Sequence, residues 1–292
     1  MNNPKATLPF PLSLLAVGIL SSIGLSANVD IALLPPIATA FALVLVVGLE
    51  RLLPRARRQP EERETAVDLG FVVLTAGVSN PMAEAAVIGV VASVVGTAEP
   101  GLVAHLPLAA AFVLLLLVDG CGDYWSHRLA HELPWWWKLH SVHHAPHRMV
   151  ALNNFRIHPL DLGLKVLFRL APVLLLGFSA EAIALAGAFK GVTLAFQHAD
   201  ADLRHGWLNR ILSTNSLHRW HHSAARGEAG SNYGSTLSIF DQLFGTYLLP
   251  PEEDDPDEMG LFDERHYPVH TIGRALFAPF RSRNSDRGLD SK

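Results

Sequence analysis

The sequence contains a single cysteine, Cys121, so it forms no intramolecular disulfide and offers no set of thiolates for a structural zinc site. Charged residues are also scarce, at 17% of the 292 residues, whereas soluble domains carry about 25%. Lysine and arginine number 23 against 27 acidic residues, a balance without the basic excess typical of nucleic-acid-binding proteins. Half of the residues are hydrophobic and the mean hydropathy is +0.26, which indicates a protein that faces lipid.

Motifs of several common enzyme classes are missing as well. His131-Glu132 begins the H-E-x-x-H pattern of zinc proteases, but Trp135 occupies the position of the second histidine. The sequence contains no glycine-rich phosphate loop, no C-x-x-C pair and no G-x-S-x-G turn. Serine, aspartate and histidine all occur, but no pattern brings them together as a hydrolytic triad.

Five apolar stretches are candidates for membrane helices, which need about 20 residues to cross a bilayer. They cover residues 8–27, 31–49, 66–96, 106–118 and 164–197. The first also fits a cleavable signal peptide, and the third is interrupted at Asn80-Pro81, which indicates either a kinked span or two half-segments. Pro172 and Gly177 near the middle of the last stretch predict a hairpin of two short helices. The sequence therefore predicts an all-α integral membrane bundle of about four spans plus a hairpin.

The charges of the connections predict its orientation, because lysine and arginine near the ends of spans stay on the cytoplasmic side. Residues 51–63 contain five arginines, whereas the connections at 28–30 and 97–105 contain neither arginine nor lysine. The arginine-rich connection is therefore predicted to be cytoplasmic. Two further crossings would place the polar, histidine-rich region that begins at Asp119 on the same side.

Histidine is the one residue type that stands out, with 15 copies, of which twelve lie between His127 and His222. They form three sets with helical spacing, since residues three or four apart share a helix face. The sets are H-x-x-x-H at His127 and His131, H-x-x-H-H at His140, His143 and His144, and H-x-x-H-H at His218, His221 and His222.

Eight imidazoles packed together are costly unless something coordinates them, because each ring costs several kcal/mol if it is charged and unpaired at a membrane surface. Three or four histidines suffice for one metal ion, so eight predict two ions. Imidazole suits iron, zinc, copper and nickel, and the spacing does not choose among them. A haem protein with paired axial histidines and a metal transporter remain open, although the first uses few of the eight and the second would place them within the spans.

The order of the three boxes identifies a resemblance. H-R-L-A-H, W-K-L-H-S-V-H-H and H-R-W-H-H-S, followed by N-Y-G and I-F-D-Q-L-F-G-T-Y, resemble the fatty acid hydroxylase and sterol desaturase superfamily over about residues 110–250. The resemblance implies integral membrane non-haem di-iron oxygenases, in which a cytoplasmic helical cap holds two irons by histidine alone. It also implies oxidation of a lipid by O₂, with electrons from a separate donor protein of the cytochrome or ferredoxin type.

The resemblance extends to individual residues. The eight box histidines match the family's ligands, and His198, in F-Q-H-A-D, matches an additional family histidine and is the ninth expected ligand. His158, in R-I-H-P-L, also matches a family segment, and ligation and outer hydrogen bonding are both open for it. Family members often have asparagine where this chain has Asp200, so this carboxylate is open as a metal ligand or as a partner that orients His198.

These observations predict three regions: a membrane region at 1–105, a fatty acid hydroxylase-like catalytic domain at 106–250, and an acidic loop and tail at 251–292. The predicted function is O₂-dependent hydroxylation or desaturation of a fatty acyl, sterol or related isoprenoid lipid. A zinc-dependent membrane hydrolase that uses the same histidines is the alternative. No nucleic-acid partner is expected.

Three features near the boxes carry weaker expectations. Asp123, four residues before His127, either accepts a hydrogen bond from that histidine or is a solvated acid. The tryptophans at 135–137 are expected to anchor an element at the membrane interface. The segment that contains Asn232, Gly234, Asp241 and Gly245 is expected to form a structural turn.

Overall fold

The computed structural model describes residues 7–26, 30–55, 62–95, 101–250, 255–261 and 267–281. Within these ranges the chain is helical and contains isolated β-bridges but no β-strand, so the all-α prediction is confirmed. The first five helices are α1 (Pro9–Ser26), α2 (Leu34–Leu52), α3 (Glu62–Leu74), α4 (Asn80–Val95) and α5 (Leu108–Glu132). The later ones are α6 (Pro134–His144), α7 (Pro159–Leu176), α8 (Ala180–Gln197), α9 (Asn215–His221), α10 (Arg226–Ala229), α11 (Ile239–Phe244) and α12 (Ile272–Phe277).

Three helical runs in the described ranges are long and apolar enough to cross a membrane: Ile31–Leu52, Arg63–Val94 and Leu108–Glu132. They correspond to the second, third and fourth apolar stretches, and they support a membrane protein. The first stretch forms α1, which packs beside α8 through a ring contact of 5.0 Å between Phe10 and Phe196. The number of crossings and the cytoplasmic side of the cap remain predictions.

The third apolar stretch is one continuous helical run rather than two half-segments. A π-helical turn, Thr75–Ser79, joins α3 to α4 at the point where Pro81 lacks a backbone N–H. The Thr75 hydroxyl donates a hydrogen bond of 2.8 Å to the carbonyl of Phe155, so this turn is fixed against a neighbouring segment. The interruption visible in the sequence is therefore a local change of helix pitch.

The predicted hairpin is confirmed as α7 and α8. Gly177 ends α7 in the left-handed region, with φ +68°. A Cβ atom on Gly177 would lie 2.2 Å from the Cα atom of Gly101, so only glycine permits this approach. Pro172 lies inside α7 and does not end it.

The cap lies where α5 ends and α6 and α7 begin. A group of ion pairs connects the cap to α3. Asp68 of α3 is fully buried and contacts the guanidinium groups of Arg148 and Arg156. Arg148 also donates to Glu64 at 2.6 Å. These two arginines flank the short 3-10 turn Ala151–Phe155, and the pairs fix that turn to the start of α3.

Candidate metal centre

The first histidine pair lies on the last two turns of α5. The helix continues past the apolar residues, so His127 and His131 project from one face one turn apart, and both are buried. The second box lies on α6, which begins at Pro134 directly after α5. Its His140, His143 and His144 are buried on the face that turns toward α5.

The third box and the ninth histidine complete the set. His218, His221 and His222 come from the short helix α9 and its C-terminal cap, and all three are buried. His198 is the C-terminal capping residue directly after α8 and is 1% exposed. The structure thus brings all nine expected ligands to one end of the bundle.

The nine rings form two groups rather than one. Cluster one consists of His127, His131, His140, His144 and His221. Cluster two consists of His143, His198, His218 and His222. Within each cluster, one ring nitrogen per residue lies within 4.8 Å of those of all the others, which is the spacing expected of ligands around one ion.

The clusters interleave, because neighbouring residues belong to different groups. His143 and His144 follow each other on α6 and enter clusters two and one. His221 and His222 follow each other in the third box and enter clusters one and two. The rings of His144 and His222 stack across the boundary with centroids 4.3 Å apart.

Hydrogen bonds fix the protonation of two cluster-one rings. His127 Nδ1 lies 2.7 Å from the backbone carbonyl of Tyr233, and His221 Nδ1 lies 2.7 Å from that of Ser231. A carbonyl oxygen only accepts, so both Nδ1 atoms carry the hydrogen. In the neutral rings the Nε2 atoms are therefore bare lone pairs.

These lone pairs point at one another. His127 Nε2 lies 3.0 Å from His221 Nε2 and 3.0 Å from His140 Nε2. Asp161 accepts from His140 Nδ1 at 2.9 Å, so the third Nε2 atom is bare as well. Three converging lone pairs repel unless a cation lies among them, and this arrangement fits a metal ion.

Protonation does not relieve the repulsion. Burial is the main cause that lowers the pKa of His221 well below its ordinary value of 6.5, and burial likewise lowers that of His140 to about 4. Both His131 ring nitrogens and His144 Nε2 are buried and find no hydrogen-bond partner in the described part of the chain. Unsatisfied buried nitrogens are costly, and coordination satisfies them.

Cluster two also contains converging ring nitrogens, but fewer hydrogen bonds orient its rings. Asn153 Nδ2 donates to the carbonyl of Arg148 at 2.8 Å, so its Oδ1 atom accepts from His198 Nδ1 at 3.0 Å. The bare His198 Nε2 atom then lies 2.9 Å from His218 Nε2, which is 3.0 Å from His222 Nε2. Among the described residues, the Nδ1 atoms of His143 and His218 have no hydrogen-bond partner.

The carbonyls used by cluster one come from the turn predicted after the third box. Asn232 has φ +52°, and its side-chain amide donates to the carbonyls of Leu217 and Leu248 at 2.9 and 2.7 Å. The Asp241 carboxylate accepts from the backbone N–H groups of Tyr233 and Gly234 at 2.7 and 3.0 Å. This turn has the predicted structural role, and it also aims the carbonyls of the residues on either side of Asn232 at cluster one.

Two residues that were left open lie outside the clusters. His158 precedes α7 and accepts the Leu160 N–H at 3.2 Å, so its ring serves as a helix cap. The Asp200 carboxylate lies 3.2 Å from Arg219 Nη1, and Asn153 takes the place of an acid as the partner of His198.

The expectation for Asp123 is wrong, and the expectation for the tryptophans does not fit Trp136 and Trp137. Asp123 is buried and accepts from the Ser235 N–H at 3.0 Å, so it is neither solvated nor bound to His127. Trp136 and Trp137 are buried in the cap, and only Trp135 of the three is exposed. Trp136 donates to Asp161 at 2.8 Å, and the Trp137 ring lies 5.0 Å from that of His131.

Sequence reasoning missed the groups that orient the rings. Asp161 and Asn153 lie 21 and 45 residues from the histidines they contact, and no spacing rule connects them. Lys165 Nζ lies 3.2 Å from His140 Nδ1 and 3.8 Å from Asp161, so its charge balances the buried carboxylate. No sequence pattern marked Asp161, which lies just before the apolar stretch at 164–197.

Comparison with known proteins agrees with this site. The profile of the fatty acid hydroxylase family matches residues 112–246, which include all nine histidines. The ornithine lipid hydroxylase OlsE of Rhizobium tropici is 35% identical over 74% of this chain and 67% of its own length. No solved structure matches the chain.

The names of two more distant relatives refer to other lipids. The alkylglycerol monooxygenase of Xenopus tropicalis is 28% identical over 84% of this chain, which covers 51% of that protein. The sterol desaturase ERG3A of Gibberella zeae is 29% identical over 48% of this chain and 38% of its own length. These relatives confirm the predicted enzyme class, oxidoreductases that use O₂, and none of the three is a hydrolase. The chain belongs to the fatty acid hydroxylase family of lipid hydroxylases, monooxygenases and desaturases.

Proposed function

We propose that this protein is a membrane-bound non-haem di-iron oxidoreductase that hydroxylates or desaturates a lipid with O₂ and externally supplied electrons. The observation that supports it best is the convergence of bare Nε2 atoms from His127, His140 and His221, which lie 3.0 Å apart in two pairs. The five rings of cluster one would hold one iron and the four rings of cluster two the other. Nitrogen ligands alone also suit zinc, so the family relationship supports iron.

Bound iron supplies the reduction of O₂ and the oxidation of the C–H bond. Hydroxylation consumes one O₂, two electrons and two protons for each lipid and releases one water. As the family resemblance implies, we propose that the electrons come from a separate donor protein of the cytochrome or ferredoxin type. The protein fixes the ligand geometry and excludes water, because all nine rings are buried.

The substrate is a lipid whose chain lies in the apolar interior next to the cap. An ornithine lipid, an alkylglycerol and a sterol are named in the descriptions of the relatives, which supports a fatty acyl, ether or isoprenoid lipid. Arg55 lies at the same end of the bundle as the histidine clusters, since its backbone N–H donates to the carbonyl of Asp200, two residues after His198, at 3.2 Å. The positive-inside rule therefore supports a cytoplasmic metal site.

Metal analysis and O₂ consumption of the protein purified in detergent test the proposal. We expect about two irons per chain and lipid-dependent O₂ uptake in the presence of a chemical reductant. His143→Ala and His221→Ala should each lose iron and activity, whereas His147→Ala, at an exposed histidine beside the second box, should retain both. Full iron and activity in the first two variants would overturn the proposal, as would bound zinc with turnover that needs no O₂.

A further inference from the structure

The cap contains a groove that lies apart from the metal clusters. It has a volume of about 620 Å³, within the range of small-molecule sites. Its walls come from the first half of α6, the first two turns of α7 and the 3-10 turn Ala278–Phe280. The lining is apolar apart from one charged side chain, Lys138.

The groove lies on the outer faces of the helices that carry the site. On α6, the lining residues Trp135, Lys138 and Leu139 are spaced i, i+3, i+4, and they face away from the histidines. On α7, Leu160 and Leu164 line the groove, while Asp161 points the other way, toward His140. A ligand in the groove would therefore not contact the metal ligands.

The groove exposes large apolar side chains that a water-facing surface rarely gathers. Trp135 is 55% exposed, Leu160 56% and Phe280 64%, and all three line the same depression. Single exposed apolar residues are ordinary, but a contiguous group around a concave surface marks a binding site.

The neighbouring surface indicates which ligand the groove takes. Leu160, Leu164, Leu167 and Leu175 lie on one side of α7, and Leu167 and Leu175 are also exposed. Since α7 packs along α4 and α5, which belong to candidate membrane spans, we expect this exposed stripe to face the bilayer. The groove lies at the N-terminal end of this stripe on α7, at the level where α5 ends and the cap begins. Tryptophan and lysine at that level are typical of the membrane interface.

We infer that this groove binds an acyl chain of an anionic phospholipid from the surrounding bilayer, with the head group beside Lys138. The acyl chain covers the exposed rings and leucines, and the lysine attracts the phosphate. The lining of the groove includes none of the nine clustered histidines, so this site lies apart from the metal centre of the proposed function. Trp135 stacks on Trp136 with centroids 5.5 Å apart, so the lipid also supports the helix that carries the second histidine box.

Gly163 allows the groove to be blocked without disturbing the fold. It lines the groove in the second turn of α7, and a Cβ atom added there meets nothing within 4 Å. Gly163→Leu therefore fills the groove and also removes a residue with low helix propensity. Gly89→Leu is the matched control, because Gly89 lies in α4, away from the groove, and its added Cβ atom also meets nothing within 4 Å.

The experiment uses the full chain in vesicles of phosphatidylcholine and phosphatidylglycerol with a trace of phosphatidylglycerol that carries a photoreactive acyl chain. After illumination and digestion, we expect cross-links in the peptides that contain Trp135 and Leu160. Gly163→Leu should reduce these cross-links several-fold, Gly89→Leu should not, and Lys138→Gln should reduce the preference for phosphatidylglycerol over a phosphatidylcholine probe.

Groove cross-links that persist in Gly163→Leu, or an absence of cross-links there, would overturn the inference. In a parallel sample without the probe, a carbodiimide that coupled the Lys138 amine to a carboxylate of residues 282–292 would also overturn it, because the occupant would then be protein. An unchanged head-group preference in Lys138→Gln would contradict the role of the anionic head group. Cross-linking needs no metal or turnover, so this result stands independently of the enzymatic proposal.

Discussion

Cluster one and cluster two contain the same ligand type at similar burial, yet they differ in what orients their rings. Three rings of cluster one donate to fixed acceptors: the carbonyls of Tyr233 and Ser231 and the carboxylate of Asp161. In cluster two, the only such acceptor in the described chain is the neutral amide oxygen of Asn153. Partners of this kind set ring orientation and raise ligand basicity, so cluster one is the better preorganised site.

Removal of one ligand from each cluster should have the largest effect and should separate the two sites. His127→Ala removes one ligand of cluster one and His198→Ala one ligand of cluster two, so each variant should bind iron more weakly in its own cluster, retain the other iron and lose lipid oxidation. Metal analysis with a parallel O₂ uptake assay measures both. If either variant lost both irons, the two clusters would form one cooperative site and the comparison between them would fail.

Asp161→Asn should have the next largest effect, confined to cluster one. The variant replaces a buried carboxylate that accepts from His140 and Trp136, and losses of a ligand's partner cost about 10–100-fold in metal affinity. Titration with a metal indicator should show one weakened site and one unchanged site. Asp123→Asn is the control, because Asp123 is also buried on this side of the cap and contacts no histidine ring in the described hydrogen bonds.

Asn153→Leu should lower the metal affinity of cluster two alone, and by a smaller factor than Asp161→Asn lowers that of cluster one. A neutral hydrogen bond contributes about 1 kcal/mol, which corresponds to a several-fold loss of affinity. Asn153→Asp keeps the acceptor for His198 and should bind metal more tightly than Asn153→Leu. Because Asn153 also donates to the Arg148 carbonyl, thermal unfolding of each metal-free variant must be measured beside the titration. Equal losses in both clusters would mean that the effect comes from the fold rather than from His198.

A fall in pH should destabilise the metal-free protein through both clusters alike. The clusters differ in the groups that orient their rings, whereas the burial of the rings is similar. Burial lowers the pKa of His140 to about 4 and that of His222 well below 6.5. The unfolded chain then binds more protons than the folded chain below pH 6.5, so metal-free protein loses stability as the pH falls from 6.5 toward 4. Melting temperatures in detergent across this range test it, and a flat profile would contradict burial of neutral rings.

The three histidine boxes could be predicted because each lies within a short segment of the sequence. The division of their histidines between the two clusters could not be predicted. Helical spacing brings His140, His143 and His144 to one face of α6, which needs no knowledge of the fold. Which of them enters which cluster depends on how α6 docks against α5 and α9, so His143 and His144 separate although they are adjacent. The two clusters are therefore a product of tertiary packing.

The orienting groups show a second limit of sequence reasoning. Backbone carbonyls, such as that of Tyr233, leave no mark in a sequence, and they are aimed by the turn around Asn232. Asp123 has the correct helical spacing to contact His127, but it binds the backbone of Ser235 instead. Spacing describes which side chains share a face, whereas the partner of each depends on the element packed opposite.

The interleaving of the clusters also determines when during synthesis the site is complete. A growing chain that ends before the third box has only His143 and His198 of cluster two and lacks His221 of cluster one. The acceptors at Ser231 and Tyr233 emerge from the ribosome later still. Helices α1 to α5 and the hairpin are thus synthesised before either cluster is complete, so we expect a metal ion to bind only after these helices have been made.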